Sequence, residues 1–182
     1  KPTTTDDLYN VLKAFKEKDP NGNGKPDEIP LIGTNAWDGG VHYQIINSFI
    51  HYNPTYFFNV ENGKLSVPVT TDEYRDALIY LRKLIREGLL SPLTFTVLTP
   101  EYKAMLSTPE DQDTIFGMFG GHTTLHFDGT NTKLFEYDAS PPVKGPSGKF
   151  YMPNRIPAYE YPAFITRDCK NPEIAFRMFD YW

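Results

Sequence analysis

Leu8, Val11, Leu12 and Phe15 recur at intervals of three and four, so one face of an early helix is apolar. Thr4 and Asp7 are spaced as a capping pair at its start. Lys13, Lys16 and Lys18 fall mostly off that face. A polar stretch follows, then a short apolar strand over 29–33. Residues 34–40 form a polar, glycine-containing turn, and 41–50 predict a second helix. Apolar runs at 56–60 and 64–67 flank Asn62-Gly63, a strong hairpin signal. Thr70 and Glu73 predict a capping box, ahead of a helix with Tyr74, Ala77, Leu78, Leu81 and Ile85 on its apolar face. Gly88 fits the position just past that helix. Residues 114–119 predict a buried strand and 163–166 another strand, with 138–150 a loop rich in Pro and Gly. Asn171-Pro172-Glu173 opens a last helix, with Pro at its first position. Helices alternate with short apolar strands, so the class is α/β, as a single unit over 1–182.

The polar stretch after the first helix carries the most specific chemistry. Asp19-Pro20-Asn21-Gly22-Asn23-Gly24-Lys25-Pro26-Asp27-Glu28 puts oxygen-bearing side chains at alternate positions and a glycine at the sharp turn. Ca²⁺ takes about six to eight oxygens, and alternate residues of a curled loop point at one centre. The set is the side-chain oxygens of Asp19, Asn21, Asn23, Asp27 and Glu28, with the backbone carbonyl of Lys25. Three of these are anionic, which suits an extracellular or structural site. The loop follows the opening positions of an EF-hand, then departs: Pro30 stands where an EF-hand places its bidentate Glu, so closure falls to Asp27 and Glu28. A solvated Asn-Gly turn is built from the same residue types.

Composition narrows the function. Hydrophobic residues make up 40% of the 182 and aromatic residues 15%, so the chain has the material for a folded core. A net charge of -5 argues against a nucleic-acid surface, which needs clustered Lys and Arg. No run approaches the roughly 18 apolar residues of a membrane span. The single Cys169 allows no internal disulfide and has no nearby His to suggest a reactive pair. The chain opens at Lys1 without a Met and stops inside an apolar helical pattern at Trp182, which reads as an excerpt of a larger protein.

Catalytic patterns are weak. His122 and His126 share the i, i+4 spacing of zinc ligands, but Thr123 stands where a zinc protease needs its Glu. Asp111 with Asp113, and Glu136 with Asp138, are carboxylate pairs in polar segments. A glycosidase would set two such groups about 5 to 10 Å apart across a cleft. No nucleophile elbow, P-loop or dinucleotide fingerprint is present.

Residues 2–16 with the calcium loop resemble a group of bacterial extracellular solute-binding proteins, the lipoprotein-type family 1 receptors of ABC importers. The likeness continues at 62–64, 70–74, 81–89, 142–149 and 170–173, and so covers most of the chain. The resemblance implies one lobe of a type II periplasmic-binding-protein-like fold. It implies two α/β lobes in the whole protein, with a solute, an oligosaccharide in kind, held between them. This chain would be the bulk of the C-terminal lobe, its ABC permease partner and lipid anchor lying outside it, at the extracellular face of the membrane. The calcium ligands Asp19, Asn21, Asn23, Lys25, Asp27 and Glu28 carry over and would support the lobe away from the cleft.

Ligands of open α/β sheets sit beyond the carboxyl ends of the strands. Trp37 and Asp38 follow the first strand, and Gly120, Gly121 and His122 follow the strand at 115–119. Sugars present apolar C–H faces, which stack on aromatic rings, and hydroxyl rims, which need donors and acceptors. Tyr159, with Glu160 and Tyr161, is a third candidate. Each has an ordinary alternative: Trp37 as core cover, Gly120-Gly121 as a turn, the tyrosines as chance products of an aromatic-rich chain. Two other functions stay open: a calcium-stabilised accessory module of a polysaccharide-processing enzyme, and an interaction domain using its aromatic surface.

Overall fold

The computed structural model describes residues 1–36, 39–109, 111–121, 132–152 and 164–181. The first helix, α1 (Thr5–Glu17), has the expected capping box. The Thr4 hydroxyl accepts from Asp7 N–H at 3.1 Å, and Asp7 accepts in return from the N–H of Thr4 at 3.1 Å. The Thr3 hydroxyl also donates to Asp7 at 2.7 Å, which helps hold the Asp7 carboxyl below its ordinary pKa. Leu8 and Leu12 are buried, while Val11 is exposed.

Strand β1 (Ile29–Ile32) pairs in parallel with β4 (Phe116–Phe119), with Leu31 opposite Met118 and Ile32 opposite Phe119. Parallel strands of this kind are covered on both faces. Leu31 and Met118 pack with Leu8, Leu12, Ile45, Leu81 and Leu84 on one side. Ile32 and Phe119 pack with Val97, Tyr102 and Leu106 on the other. The alternation of side chains along a strand produces these two half-cores.

Helix α2 (Val41–Ile46) is shorter than the expected 41–50. Asn47 ends it. Its buried side-chain amide donates to the carbonyls of Tyr43 at 2.9 Å and Tyr52 at 3.0 Å, and its oxygen accepts from Tyr52 N–H at 3.0 Å. Such local side-chain bonds give the backbone an alternative to continuing the helix. The hairpin β2 (Asn59–Glu61) and β3 (Lys64–Ser66) forms as expected, with Asn62 and Gly63 at φ 52° and 75°. Both values are positive, as a type I′ turn demands.

Helix α3 (Asp72–Arg86) is capped by Thr71, one residue after the expected Thr70. Thr70 instead donates its hydroxyl to Val67 O at 2.8 Å, within a short 3-10 turn over Pro68–Thr70. The buried face is also rotated from the expectation. Leu84 is fully buried, and Leu78 is 45% exposed. Helix α4 (Thr99–Leu106) has a weak periodicity and was not foreseen. Its core anchors are Tyr102 and Leu106.

The loop expected at 138–150 is irregular but tied down. Thr5 N–H donates to Lys144 O and Lys144 N–H to Thr3 O, both at 2.9 Å. Gly145 is required there, because a Cβ would stand 1.9 Å from Ser48 O. The strand expected at 163–166 does not form among its described residues. Residues 164–166 are irregular, and Phe164 is 82% exposed. The last helix, α5 (Pro172–Asp180), begins with Pro as expected, though Asn171 makes no side-chain cap.

The rotation of α3 gives a direct test by urea denaturation. Leu84→Ala lowers unfolding free energy by about 2–5 kcal/mol, the usual cost of a buried Leu truncation. Leu78→Ala stays within about 1 kcal/mol, because nearly half of the residue is already in water. Equal losses would mean that the helix packs by the other face.

Candidate ligand site and metal loop

The carboxyl ends of β1 and β4 meet over the start of α2, and glycine makes this possible. A Cβ on Gly120 would stand 2.6 Å from the Gly39 carbonyl oxygen, and one on Gly39 2.3 Å from the Thr34 methyl carbon. Gly33 is equally crowded, with Val41 and Gly39 at 2.6 and 2.7 Å. These positions need glycine for space, whatever their backbone angles.

Buried hydrogen bonds lock the junction. The Tyr102 hydroxyl donates to Gly120 O at 2.7 Å and lies 3.3 Å from Ile32 O. Gly120 N–H donates to Ile32 O at 3.0 Å. Gly33 N–H donates to the Thr94 hydroxyl at 3.1 Å, and the Thr34 hydroxyl donates to Val97 O at 3.0 Å. Thr34 and Thr94 are fully buried. A cavity of about 230 Å³ opens beside this lattice, lined by Thr34, Asn35, Ala36, Val97, Leu98 and Thr99. Asn35, Leu98 and Thr99 went unnoticed in the sequence. Their only signal was position: Asn35 directly follows the first strand's exit, and the other two start a helix of weak periodicity.

Of the residues expected to meet a ligand, Gly121 is described: it is exposed at the exit of β4, with φ 144°. Trp37, Asp38, His122 and Tyr159 lie outside the described residues, as do His126, Glu160 and Tyr161. Trp37 and Asp38 immediately follow Ala36 on the cavity wall.

The carboxylate pairs are arranged as surface groups. Glu136 accepts from Lys133 and from the Thr114 hydroxyl, both at 3.1 Å. Asp138 pairs with Lys1 at 2.5 Å, and this partner lowers its pKa. Asp111 and Asp113 are exposed.

The loop at 19–28 is tightly curled, with Asp19, Gly22 and Gly24 at φ 44°, 71° and 73°. Asp19 accepts from the N–H groups of Asn23 at 3.1 Å and Gly24 at 2.8 Å. Asn21 accepts from Asn23 N–H at 3.1 Å, and Asn23 from Lys25 N–H at 2.8 Å. The Asn23 amide reaches the Asp27 carboxylate at 3.3 Å. The Glu28 Oε1 is buried without a hydrogen-bond partner among the described residues. Such an orphaned carboxylate oxygen is costly unless something cationic faces it. Among the described residues, no group of three or more His, Cys, Asp or Glu gathers around one point, so any cation here relies on the Asn and carbonyl oxygens as well. The loop also docks the sheet: the Asn21 amide donates to Thr114 O at 3.4 Å, and Ile29 N–H to Ile115 O at 2.8 Å.

Sequence and fold both make the chain a homologue of the substrate-binding proteins of bacterial ABC transporters, over the region they share. It is 30% identical over 153 residues to the fructooligosaccharide ABC transporter substrate-binding protein FusA of Streptococcus pneumoniae, covering 83% of this chain and 27% of FusA. It is 45% identical over 93 residues to lipoprotein LipO of Bacillus subtilis (strain 168), covering 50% of this chain and 18% of LipO. The structure of FusA in complex with kestose superposes with a TM-score of 0.66 at 32% identity, covering 82% of this chain and 29% of FusA. An EF-hand mutant of FusA, in complex with fructo-nystose, matches at the same TM-score and 30% identity. The chain thus spans less than a third of the length of each of these relatives. No family model matches it. Among the described residues, no helix is long and apolar enough to cross a membrane.

Helix α2, which floors the junction, carries a pH-sensitive group. His42 is buried against Tyr43 and Phe95, with ring centroids at 3.9 and 5.2 Å, and its Nδ1 has no hydrogen-bond partner among the described residues. Burial lowers its pKa below the ordinary 6.5. Between that value and the lower folded one, the unfolded chain binds a proton that the folded chain refuses, so stability falls as pH falls. The melting temperature therefore drops from pH 7.5 to 5.5, and His42→Gln flattens that part of the slope. An unchanged slope in the variant would clear His42 of the effect.

Proposed function

We propose that this chain is the C-terminal α/β lobe of a two-lobed extracellular receptor that captures an oligosaccharide for an ABC permease. The observation that carries the reading is the 32% identity, over 82% of the chain, to a substrate-binding protein solved with kestose. The cavity at the strand exits supports it, because open α/β folds hold their ligands there. Gly121 stands at that edge, and Trp37, Asp38, His122 and Tyr159 complete the proposed contact set. The role is binding rather than catalysis, in keeping with the solute-binding relatives. The lipoprotein LipO supports attachment of the whole receptor to the outer face of the membrane through a lipid anchor. Closure of two lobes around the sugar would signal the permease, a hinge motion driven by contacts made only in the closed state.

The loop at 19–28 is a structural calcium site in this reading. Asp19, Asn21, Asn23, Asp27 and Glu28 supply side-chain oxygens, and Lys25 its carbonyl. The orphaned Glu28 oxygen and the EF-hand of the solved relative support it. The ion would staple the end of α1 to the start of β1 and, through Asn21, to the approach to β4. It would act at the opposite ends of the strands from the sugar.

Two measurements test this. By calorimetry the intact receptor binds its oligosaccharide, and residues 1–182 alone bind the same sugar at least about a hundredfold more weakly, some 2.7 kcal/mol, because half the cleft is missing. Nanomolar binding by the isolated chain would overturn the two-lobe reading. Calcium at a hundred times its Kd stabilises the native state by about 2.7 kcal/mol, so chelation lowers the melting temperature. Asp19→Ala abolishes that calcium response. A melt indifferent to both chelator and substitution would remove the ion from the account.

A further inference from the structure

We infer that the cavity lined by Thr34, Asn35, Ala36, Val97, Leu98 and Thr99 is a subsite for one neutral sugar ring, and that Asn35 and Thr99 read its hydroxyls. The inference rests on the receptor reading above and names the substrate class of that cleft.

Size sets the occupant. At about 230 Å³ the cavity lies below the roughly 300–1,000 Å³ of pockets that take whole drug-sized ligands. It suits a single ring with the rest of the oligosaccharide outside. Chemistry sets the class. None of the six lining side chains is charged. From these six residues a uronate carboxylate would meet no cation, and Glu101 in the first turn of α4 adds an acid close by in sequence. The net charge of -5 works in the same direction.

The walls are fixed before a ligand arrives. The Thr34 hydroxyl is already spent on Val97 O at 3.0 Å and on Ala36 N–H at 3.3 Å. Tyr102, three residues along α4 from Thr99, pins that helix to the exits of both strands. Asn35 and Thr99 keep their side-chain donors and acceptors, since no side-chain hydrogen bond among the described residues engages either. Leu98, 65% exposed, offers the C–H face of a ring an apolar surface. Preorganised walls with a few unspent polar groups are what a selective small-ligand site needs.

The test uses the intact receptor and calorimetry with kestose, nystose, raffinose, maltotriose and trigalacturonate. A neutral sugar binds, and Asn35→Ala and Thr99→Val each weaken it about tenfold while the melting temperature holds, the loss expected when one hydrogen bond to the sugar is removed. Preference for trigalacturonate over every neutral sugar overturns the assignment of class. Neutral-sugar binding that ignores both substitutions overturns the subsite and leaves the receptor reading standing. Binding of no sugar in the panel overturns both.

Discussion

The backbones of Gly39 and Gly120 approach too closely for a side chain at either position, and the architecture of the sheet's carboxyl edge follows from that approach. It lets the turn after β1 lie directly against the exit of β4. It also sets the start of α2 beneath both. Any Cβ there would push the two strand exits apart and open the junction that Tyr102 closes. Tyr102 is fully buried, and its hydroxyl reaches the Ile32 carbonyl at the end of β1 and the Gly120 carbonyl just past β4. A buried hydroxyl without such partners would be destabilising, so the bonds and the close packing depend on each other.

From that junction, polar chemistry separates to the two ends of one small parallel sheet. At the carboxyl ends, threonines and a tyrosine spend their hydroxyls holding the walls, and the proposed subsite uses Asn35 and Thr99 beside them. At the amino ends, the loop at 19–28 curls around its own oxygens and touches the approach to β4 through Asn21. The sheet between them is short and buried on both faces. In the proposed reading, binding and stabilisation occupy opposite ends of a common core rather than competing for the same residues.

A second set of ties joins the helices far from the sheet. Tyr9 donates its hydroxyl to Glu87 at 2.6 Å, and that bond with its charge raises the Tyr9 pKa. Lys83 lies over the Tyr9 ring at 3.6 Å, and Lys16 donates to Glu87 O at 2.6 Å. Tyr9 is half-buried and the charged groups are exposed, so each tie contributes little alone. Together they set the register of α1 against the end of α3, where Leu84, Leu89 and Leu90 enter the core.

Local order was legible in the sequence wherever one short-range interaction decides the outcome. Thr4 and Asp7 cap α1, Asn62-Gly63 turns the hairpin, Pro172 starts α5, and the spacing of oxygens and glycines curls the loop at 19–28; each depends on neighbours within a few residues. The receptor family was legible too, because its residue runs extend through most of the chain. Tertiary packing decided the rest. The stop of α2 depends on Asn47 reaching Tyr52 inside the core. The face of α3 turned toward Leu84 because the core lies on that side, and periodicity alone did not separate it from Leu78. Helix α4 has too weak an apolar pattern to announce itself, yet it frames the cavity. Asn35 and Thr99 are more than sixty residues apart, and only the bonds from Thr34 to Val97 and from Gly33 to Thr94 bring their segments together.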